Sequence, residues 1–419
     1  MNARAATAFV FVLLTWVMGT TVVSGVGLTE LAPWLVRFTG GLKGVYTPVE
    51  GRPLAWSVAW SQSEGAERSG EVTVTGPDMA LRVALNFNAT DNRLRWRVIE
   101  GRVDLAAWLP ALATRPELSE ALQGMAATGA LVITGEGAVK GEEVTGSLSA
   151  AWVDGTLGHT EQGWTLEGVN IRAGGDMAEL AKGCVQLQVD VRTISTGRFG
   201  ARNFSVRARL NDADRVEVQS VRVEIAGGEV TAESFTVSLK SPKVGVDLVM
   251  SRVGLQDLIV FVPTTLSEAR GRINGKLRLD WSPTDGVQVG LGELSLDKSE
   301  PTMLRLVSAP GFLTKKVPVR LVLLPQLGPL KWLFSPKNPS YPTLKEIELG
   351  KLGMSVDMLE VRLTPEGDGQ GRSASVYIRA RPEREGGSVR EVIFKVNVAG
   401  PLAEVLRIGM QQNLSVQTR

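Results

Sequence analysis

The chain has 419 residues and a formal net charge of +2 from 46 basic and 44 acidic side chains, with one cysteine and one histidine. So close a balance gives no electrostatic reason to bind nucleic acid. One thiol excludes an intramolecular disulfide, and one cysteine with one histidine excludes a structural zinc site, which needs about four nitrogen or sulfur ligands.

The amino terminus reads Met1-Asn2-Ala3-Arg4 and then carries no charge through residues 5–28. A helix rises about 1.5 Å per residue and crosses a hydrocarbon core with roughly 20 residues, so residues 1–28 are expected to form a transmembrane anchor. A cleaved secretory signal is the other reading. Signal cores run about 7–15 residues and end in a small-residue site such as A-x-A. This run is longer and lacks A-x-A, although Val23-Ser24-Gly25-Val26-Gly27 is small enough for a peptidase. Either reading puts the body outside the cytoplasm. Trp34 and Arg37 follow the span, and an amphipathic ring beside a snorkelling cation suits a membrane interface. An ordinary first turn of the body is the alternative.

From about residue 55 onward the dominant period is two. Leu81, Val83, Leu85 and Phe87 alternate with polar or small residues, as do Leu94, Trp96 and Val98. The middle of the chain is clearer. Phe204, Val206, Ala208 and Leu210 lead to Val216 and Val218, then to Val221, Val223 and Ile225, then to Phe235, Val237 and Leu239. Val244, Val246, Leu248 and Met250 continue the pattern, and Ala374, Val376, Ile378 and Ala380 repeat it near the end. Such alternation marks strands with one apolar and one solvated face, and turns of Gly, Pro, Asn and Asp separate them. Spacings of about 10–14 residues per strand and turn suit an antiparallel meander.

Three stretches look helical: residues 103–127, 255–269 and 401–410, each short, amphipathic and suited to a lid or end cap. The first two form a weak repeat. Asp104-Leu105 and Pro110 correspond to Asp257-Leu258 and Pro263. Leu118-Ser119-Glu120-Ala121 corresponds to Leu266-Ser267-Glu268-Ala269, and Gly129-Ala130-Leu131 to Gly275-Lys276-Leu277. Repetition points to stacked similar modules, with coincidence as the alternative.

Signals for chemistry are sparse. Gly271-Arg272-Ile273-Asn274-Gly275-Lys276-Leu277 has the wrong spacing for a Walker A loop and lacks its terminal Ser or Thr. No nucleophile elbow stands at a strand–helix turn. A Ser/His/Asp triad would have to use His159, whose setting Gly158-His159-Thr160-Glu161 reads as a solvated turn. Cys184 falls in the apolar phase of Cys184-Val185-Gln186-Leu187 and reads as a buried inert thiol. Asp190, Glu217 and Glu224 lie within strand patterns, and Arg202, Arg207, Arg209, Arg215 and Arg222 are interleaved with acids, which describes a mixed charged face. No catalytic residue, metal ligand or cofactor site is assigned.

Several features in order resemble a known family. After the apolar run come Pro33-Trp34-Leu35 and Thr39-Gly40. Asp104-Leu105-Ala106-Ala107-Trp108-Leu109-Pro110 leads into Thr128-Gly129-Ala130-Leu131. Gly271-Arg272-Ile273-Asn274-Gly275-Lys276-Leu277 leads through Asp285-Gly286-Val287 into Gly292-Glu293-Leu294. The end reads Phe394-Lys395-Val396-Asn397-Val398-Ala399-Gly400-Pro401-Leu402. In this order they resemble the AsmA-like envelope proteins of bacteria, in the YdbH-like branch. The chain is shorter than the well-known members. The resemblance implies an inner-membrane anchor and a long β-sheet curled into an open apolar groove that carries phospholipid towards the outer membrane.

The physics of such a cargo is demanding. A lipid with two C16 chains exposes about 30 methylenes, worth roughly 24 kcal/mol at about 0.8 kcal/mol each. About 22 strands stacked at about 4.8 Å would make a trough roughly 105 Å long. The same apolar faces could instead close on each other as sandwiches with a dry core, and alternation does not separate the two.

The expected architecture is therefore mostly β. A transmembrane helix precedes an elongated, curled antiparallel sheet with an open hydrophobic groove and short amphipathic helices. The expected parts are residues 1–28 as anchor or signal, 29–128 as an amino-terminal β/helical module, 129–270 as a central β-groove and 271–419 as a carboxy-terminal YdbH-like β module. The expected function is that of a single-pass protein of the bacterial inner membrane, its body in the periplasm, conducting phospholipid acyl chains without enzymatic activity. The alternative is a non-catalytic envelope scaffold with a closed core. Expected groove-lining residues are Phe204, Val206, Leu210, Val221, Val223, Ile225, Phe235, Val237 and Leu239, with Trp34 and Arg37 at the membrane interface. Expected partners are phospholipids, the inner membrane and an outer-membrane or periplasmic protein, with no nucleic acid.

Overall fold

The structure, a computed structural model, describes residues 40–46, 53–62, 66–112, 122–141, 143–196, 200–211, 214–258, 266–284, 286–321, 335–364, 372–384 and 386–399. These residues are mostly β. They form one sheet of 22 strands, with four helical segments among the described residues. Every described register between paired strands is antiparallel. The expected anchor, with Trp34 and Arg37, lies outside the described residues. Among the described residues no helix is long and apolar enough to cross a membrane. The chain divides into two compact units, Met1–Val221 with Thr236–Ser241, and Arg222–Phe235 with Pro242–Arg419.

In the first unit, β1 (Gly40–Tyr46), β2 (Leu54–Gln62), β3 (Glu67–Gly76), β4 (Met79–Asn88) and β5 (Arg93–Asp104) form a meander in which each strand pairs with the next. Helix α1 (Leu105–Leu112) follows, capped where the Ala106 N–H donates to Asp104 Oδ1 at 2.9 Å. Then come β6 (Met125–Thr128), β7 (Ala130–Lys140), β8 (Glu143–His159) and β9 (Trp164–Asp176). β5 pairs with β7, while β6 pairs with β8. The helical turn α2 (Met177–Leu180) leads to β10 (Val185–Thr196) and β11 (Gly200–Asn211), and β7 to β11 continue as neighbours.

The period-two pattern explains the core of this unit. Register places Val58, Val72, Val83 and Val98 in one row across β2 to β5. The next row alternates large rings and glycine: Trp60 faces Gly70, which faces Leu85, then Trp96, then Gly137. A Cβ on Gly70 would lie 1.9 Å from the Trp60 ring, and one on Gly137 2.8 Å from the Trp96 ring. The indoles therefore lie flat over neighbouring backbone, the aromatic cover of strand glycines used to hold curved sheets. Val83 and Phe87 are each only 1% exposed. A single sheet reaches that burial when its apolar face curls onto itself, here with Met177 and Leu180 of α2 completing the cluster. Gly70→Ala is expected to cost about 1–3 kcal/mol by forcing the Trp60 ring aside. Gly200→Ala, whose nearest neighbour to a new Cβ is Ile194 O at 3.8 Å, should be nearly neutral. Thermal unfolding of the two variants side by side checks this.

Strands β12 (Arg215–Ile225) and β14 (Phe235–Ser238) pair with each other, and each contributes residues to both units. The second unit contains β13 (Gly228–Ala232), β15 (Val244–Gly254), β16 (Leu266–Arg270), β17 (Arg272–Ser282), β18 (Gly286–Leu296), β19 (Met303–Leu306), β20 (Met354–Leu363), β21 (Arg372–Pro382) and β22 (Val392–Ala399). The ladder runs β13–β15–β17–β18–β20–β21–β22, with β16 on β19 and β19 on β20. Two helices join it, α3 (Leu255–Leu258) and α4 (Ser340–Glu348). The first turn of α4 tolerates Pro342, and the Ser340 N–H donates to Asn338 Oδ1 at 3.0 Å.

The helical expectations hold only in part. Residues 105–112 and 255–258 are helical, but Met125–Thr128 and Leu266–Arg270 are strands. Their Ala- and Leu-rich composition suits helix, but pairing with β8 and β19 overrides local propensity. Residues 113–121 and 259–265 of the first two stretches, and all of residues 401–410, lie outside the described residues. The internal repeat is present in a different register. The Leu105 N–H donates to Gly129 O and the Leu255 N–H to Gly271 O, each at 3.0 Å. Both glycines have positive φ, 94° and 110°. The equivalent of Gly129 is thus Gly271 rather than Gly275, because only the glycine with left-handed backbone turns its carbonyl to the helix start.

One buried carboxylate fastens the loop before α4. Glu348 is 2% exposed and ends the helix, where the dipole disfavours a negative charge. It accepts from the N–H groups of Leu313 and Thr314 at 3.0 Å and from Thr314 Oγ1 at 2.8 Å. Burial alone would raise its pKa, but these bonds and one from Gly311 outweigh it and hold the carboxyl below its ordinary 4.5. A lowered folded pKa stabilises above the unfolded value, and that contribution is lost as pH falls through the folded value. Glu348→Gln is expected to lose about 2 kcal/mol at pH 7. The gap to wild type should narrow below pH 4.5, read from melts across that range.

Candidate lipid-contacting face

The nine residues expected to line a groove fall on the apolar phase of their segments. In the first unit Phe204, Val206 and Leu210 of β11 stand opposite Val191, Val189 and Val185 of β10. Val191 and Val189 in turn face Val169 and Ile171 of β9. Phe204 packs on the cluster of Ala127, Trp152, Val169 and Val191, which Leu105 and Leu109 of α1 also cover. Trp152 is fixed there by its Nε1–H, which donates to Thr128 O at 3.0 Å. Val221 and Val237 belong to the same unit, as does Leu239, which lies one residue past β14 and is 54% exposed. In the second unit Val223 and Ile225 pack against the cluster containing Val230 and Val253, and Phe235 is half-buried.

None of the nine is fully buried. Phe204, Val206, Leu210, Val221, Val223, Ile225, Phe235 and Val237 are all half-exposed. Val191 and Ala208 on the same phase are buried, and β2 to β5 differ in carrying a longer run of such residues, from Val72 and Val83 to Phe87. Half-exposure of many apolar side chains on one phase is what an unfilled apolar surface looks like, and it leaves hydration cost that a ligand can remove.

The second unit contains a cavity of about 790 Å³ on β15, β17, β18 and β20. Its lining includes Leu248, Leu277, Leu294 and Val361, with Gly275 and Gly292, against whose backbones the Leu294 and Leu277 side chains pack. Register puts these six on one face: Leu248 opposite Leu277, Leu277 opposite Gly292, Gly275 opposite Leu294, Leu294 opposite Val361. The lining also holds Glu233, Asp247, Glu293 and Glu360 with Lys276, Arg278 and Arg362. Arg278 approaches Asp247 at 3.4 Å and Arg362 approaches Glu293 at 3.9 Å. These pairs are exposed and contribute little to stability. The sequence reading missed this cavity as a site, although Gly275-Lys276-Leu277 and Gly292-Glu293-Leu294 were in view.

The remaining side chains with chemical potential are held structurally. His159 is buried, which corrects its reading as a solvated turn residue. It ends β8, its ring covers Gly124, and its Nδ1 accepts from the Gln162 N–H at 3.2 Å. A turn composition concealed this because the ring folds back over a glycine distant in sequence. Cys184 is a half-buried free thiol. Among the described residues no group of three or more His, Cys, Asp and Glu is placed to hold a metal ion.

A model of a protein family, YdbH-like, described as intermembrane phospholipid transport protein YdbH, matches residues 17–316. The chain belongs to the YdbH-like family. The match takes in all the strands of the first unit and extends through β19 of the second. Phospholipid transport between membranes is a function of the cell envelope, and the YdbH-like family is a transport family rather than an enzyme class. No curated protein and no solved structure matches the chain.

The graded burial gives a direct comparison within one protein. Val83→Glu should lower stability by about 4 kcal/mol, because an unpaired charge would enter a sealed core. Val223→Glu and Phe235→Glu should each cost less than about 1.5 kcal/mol, since water already reaches those positions. Denaturant melts of the three variants measure the difference.

Proposed function

We propose that this YdbH-like chain is a membrane-anchored conduit that binds phospholipid acyl chains along the apolar phase of its sheet and carries them between the inner and outer membranes of a bacterial envelope. Residues 1–28 anchor it as a single span in the inner membrane, Trp34 and Arg37 sit at the interface, and the body lies in the periplasm. The observation that carries the reading is the partly exposed apolar residues Phe204, Val206, Leu210, Val221, Val223, Ile225, Phe235 and Val237 on β11, β12 and β14, on a chain whose family transports phospholipid. Phe204, Val206, Leu210, Val221, Val223, Ile225, Phe235, Val237 and Leu239 line the path, and no residue performs chemistry. Apolar contact suffices for a conduit, because each methylene kept from water is worth about 0.8 kcal/mol wherever it sits along the face. The chain acts with the inner membrane and with a protein at the outer membrane or in the periplasm.

A second reading, a closed β-scaffold for envelope assembly, is favoured by one observation: the sealed cluster of β2 to β5. The two differ in a single measurement. Native mass spectrometry with lipid extraction, on the full chain taken from a bacterial envelope, should find at least one phospholipid per chain if the conduit reading is right. Val223→Glu should reduce that amount with little change in melting temperature. A compact, lipid-free monomer would leave the scaffold reading standing.

A further inference from the structure

Between Glu300 and Glu346 the chain carries seven basic side chains and no acidic one, although the whole chain has 44 acidic residues. Most of this stretch joins β19 to α4 in the second unit. Its described parts present a basic and apolar surface. Lys315, Lys316, Arg320 and Lys337 are exposed. None of the four has an ion-pair partner among the described residues. Interleaved with them in sequence, Phe312, Val319 and Leu321 are 45%, 56% and 37% exposed. Elsewhere in the same unit Arg278, Arg381 and Arg384 each meet a carboxylate, of Asp247, Asp357 and Glu346.

This surface is held in shape from within. Glu348 fixes Leu313 and Thr314, the Lys315 N–H donates to Gly311 O at 3.1 Å, and the Val317 N–H donates to Thr314 O at 2.9 Å. The Leu321 N–H donates to Pro336 O and the Asn338 N–H to Val319 O, each at 2.9 Å, and this bridge sets Arg320 directly opposite Lys337. Like charges directly opposite each other repel. The one carboxylate that touches the loop, Glu348, is buried and already bonded to Leu313 and Thr314, so the anion that complements these cations comes from outside the segment. Lysine is depleted at protein–protein interfaces. Lysine and arginine set among exposed large apolar side chains suit a bilayer surface, where apolar groups enter the headgroup layer and cations meet anionic lipid.

We propose that the surface formed by residues 312–321 and 335–338 docks on an anionic bilayer. Val319 and Leu321 enter the headgroup layer, with Phe312 beside them. Lys315, Lys316, Arg320 and Lys337 meet the lipid phosphates. The contact is peripheral and salt-sensitive, it makes no use of residues 1–28, and it requires no lipid to enter the sheet. The second unit thereby has a membrane contact of its own.

The test uses the full chain reconstituted in phosphatidylcholine nanodiscs, which offer bilayer to its amino-terminal apolar run beforehand, and measures capture of labelled vesicles. Vesicles with about one-third phosphatidylglycerol should be captured about tenfold or more above pure phosphatidylcholine vesicles, since each basic residue near an anionic surface is worth about fivefold in affinity. Salt at about 1 M, where the Debye length is about 3 Å, should abolish the difference. Lys315→Gln with Lys316→Gln should lower capture by about tenfold or more at unchanged melting temperature. Val319→Ser with Leu321→Ser should weaken capture and leave its salt dependence. Lys240→Gln with Lys243→Gln, the same charge change at exposed positions elsewhere, should leave capture within about twofold of wild type. Equal capture of the two kinds of vesicle, or equal loss in the two lysine variants, would overturn the proposal. Capture of neither kind would also overturn it and leave an acidic protein as the partner this surface fits. Lipid bound per chain, which tests the conduit reading, should be the same in the Lys315→Gln, Lys316→Gln variant and wild type, so either reading can fail alone.

Discussion

A sheet with one apolar face has to cover that face, and among the described residues no second sheet does so: all 22 strands belong to one. Each apolar row must therefore be covered by its own sheet, by a short helix, or by something that is not part of the chain. All three solutions occur. Trp60 and Trp96 lie flat over Gly70 and Gly137 and let the face of β2 to β5 close tightly. Helix α1 covers the cluster around Trp152, and α4 with its loop covers the ends of β15, β17 and β20. Elsewhere the cover is incomplete, and there the apolar side chains remain half-exposed.

The energetic consequence is a division of labour within each unit. Sealed clusters such as Val72, Val83 and Phe87, or Val253, Ile347 and Met354, carry the folding stability, because full removal from water is worth about 1.5–3 kcal/mol per large side chain. Half-open rows contribute less to folding and stay partly hydrated. A protein that binds lipid along a sheet needs both, since a face open throughout would lack a core and a face closed throughout would lack a binding surface. The Glu348 clamp belongs to the sealed part. Its carboxylate gathers several loop donors at a helix end that would otherwise repel it, which ties the cap to the core.

Much of this fold was legible in the sequence. Strict alternation at Leu81, Val83, Leu85 and Phe87 puts those side chains on one face because the strand repeat is two residues, and the structure has them there. The same logic located the apolar phase of Phe204, Val206 and Leu210. What alternation could not read was pairing partners. Met125–Thr128 and Leu266–Arg270 look helical by composition and become strands because β8 and β19 offer free edges. His159 looked solvated because its cover, Gly124, is remote in sequence.

By itself the sequence determined the class of the protein: mostly β, without the residues for a disulfide or a structural zinc site, and patterned like the family to which it belongs. Those properties follow from counts and from a local period, both of which are complete in one dimension. Only the tertiary structure decided which apolar rows are sealed and which stay half-open. Alternation states that a side chain lies on the apolar face of its strand. Whether water reaches it depends on what stands opposite that face, and that is set by curvature, by rings lying over glycines far along the chain, and by helices that return from other strands.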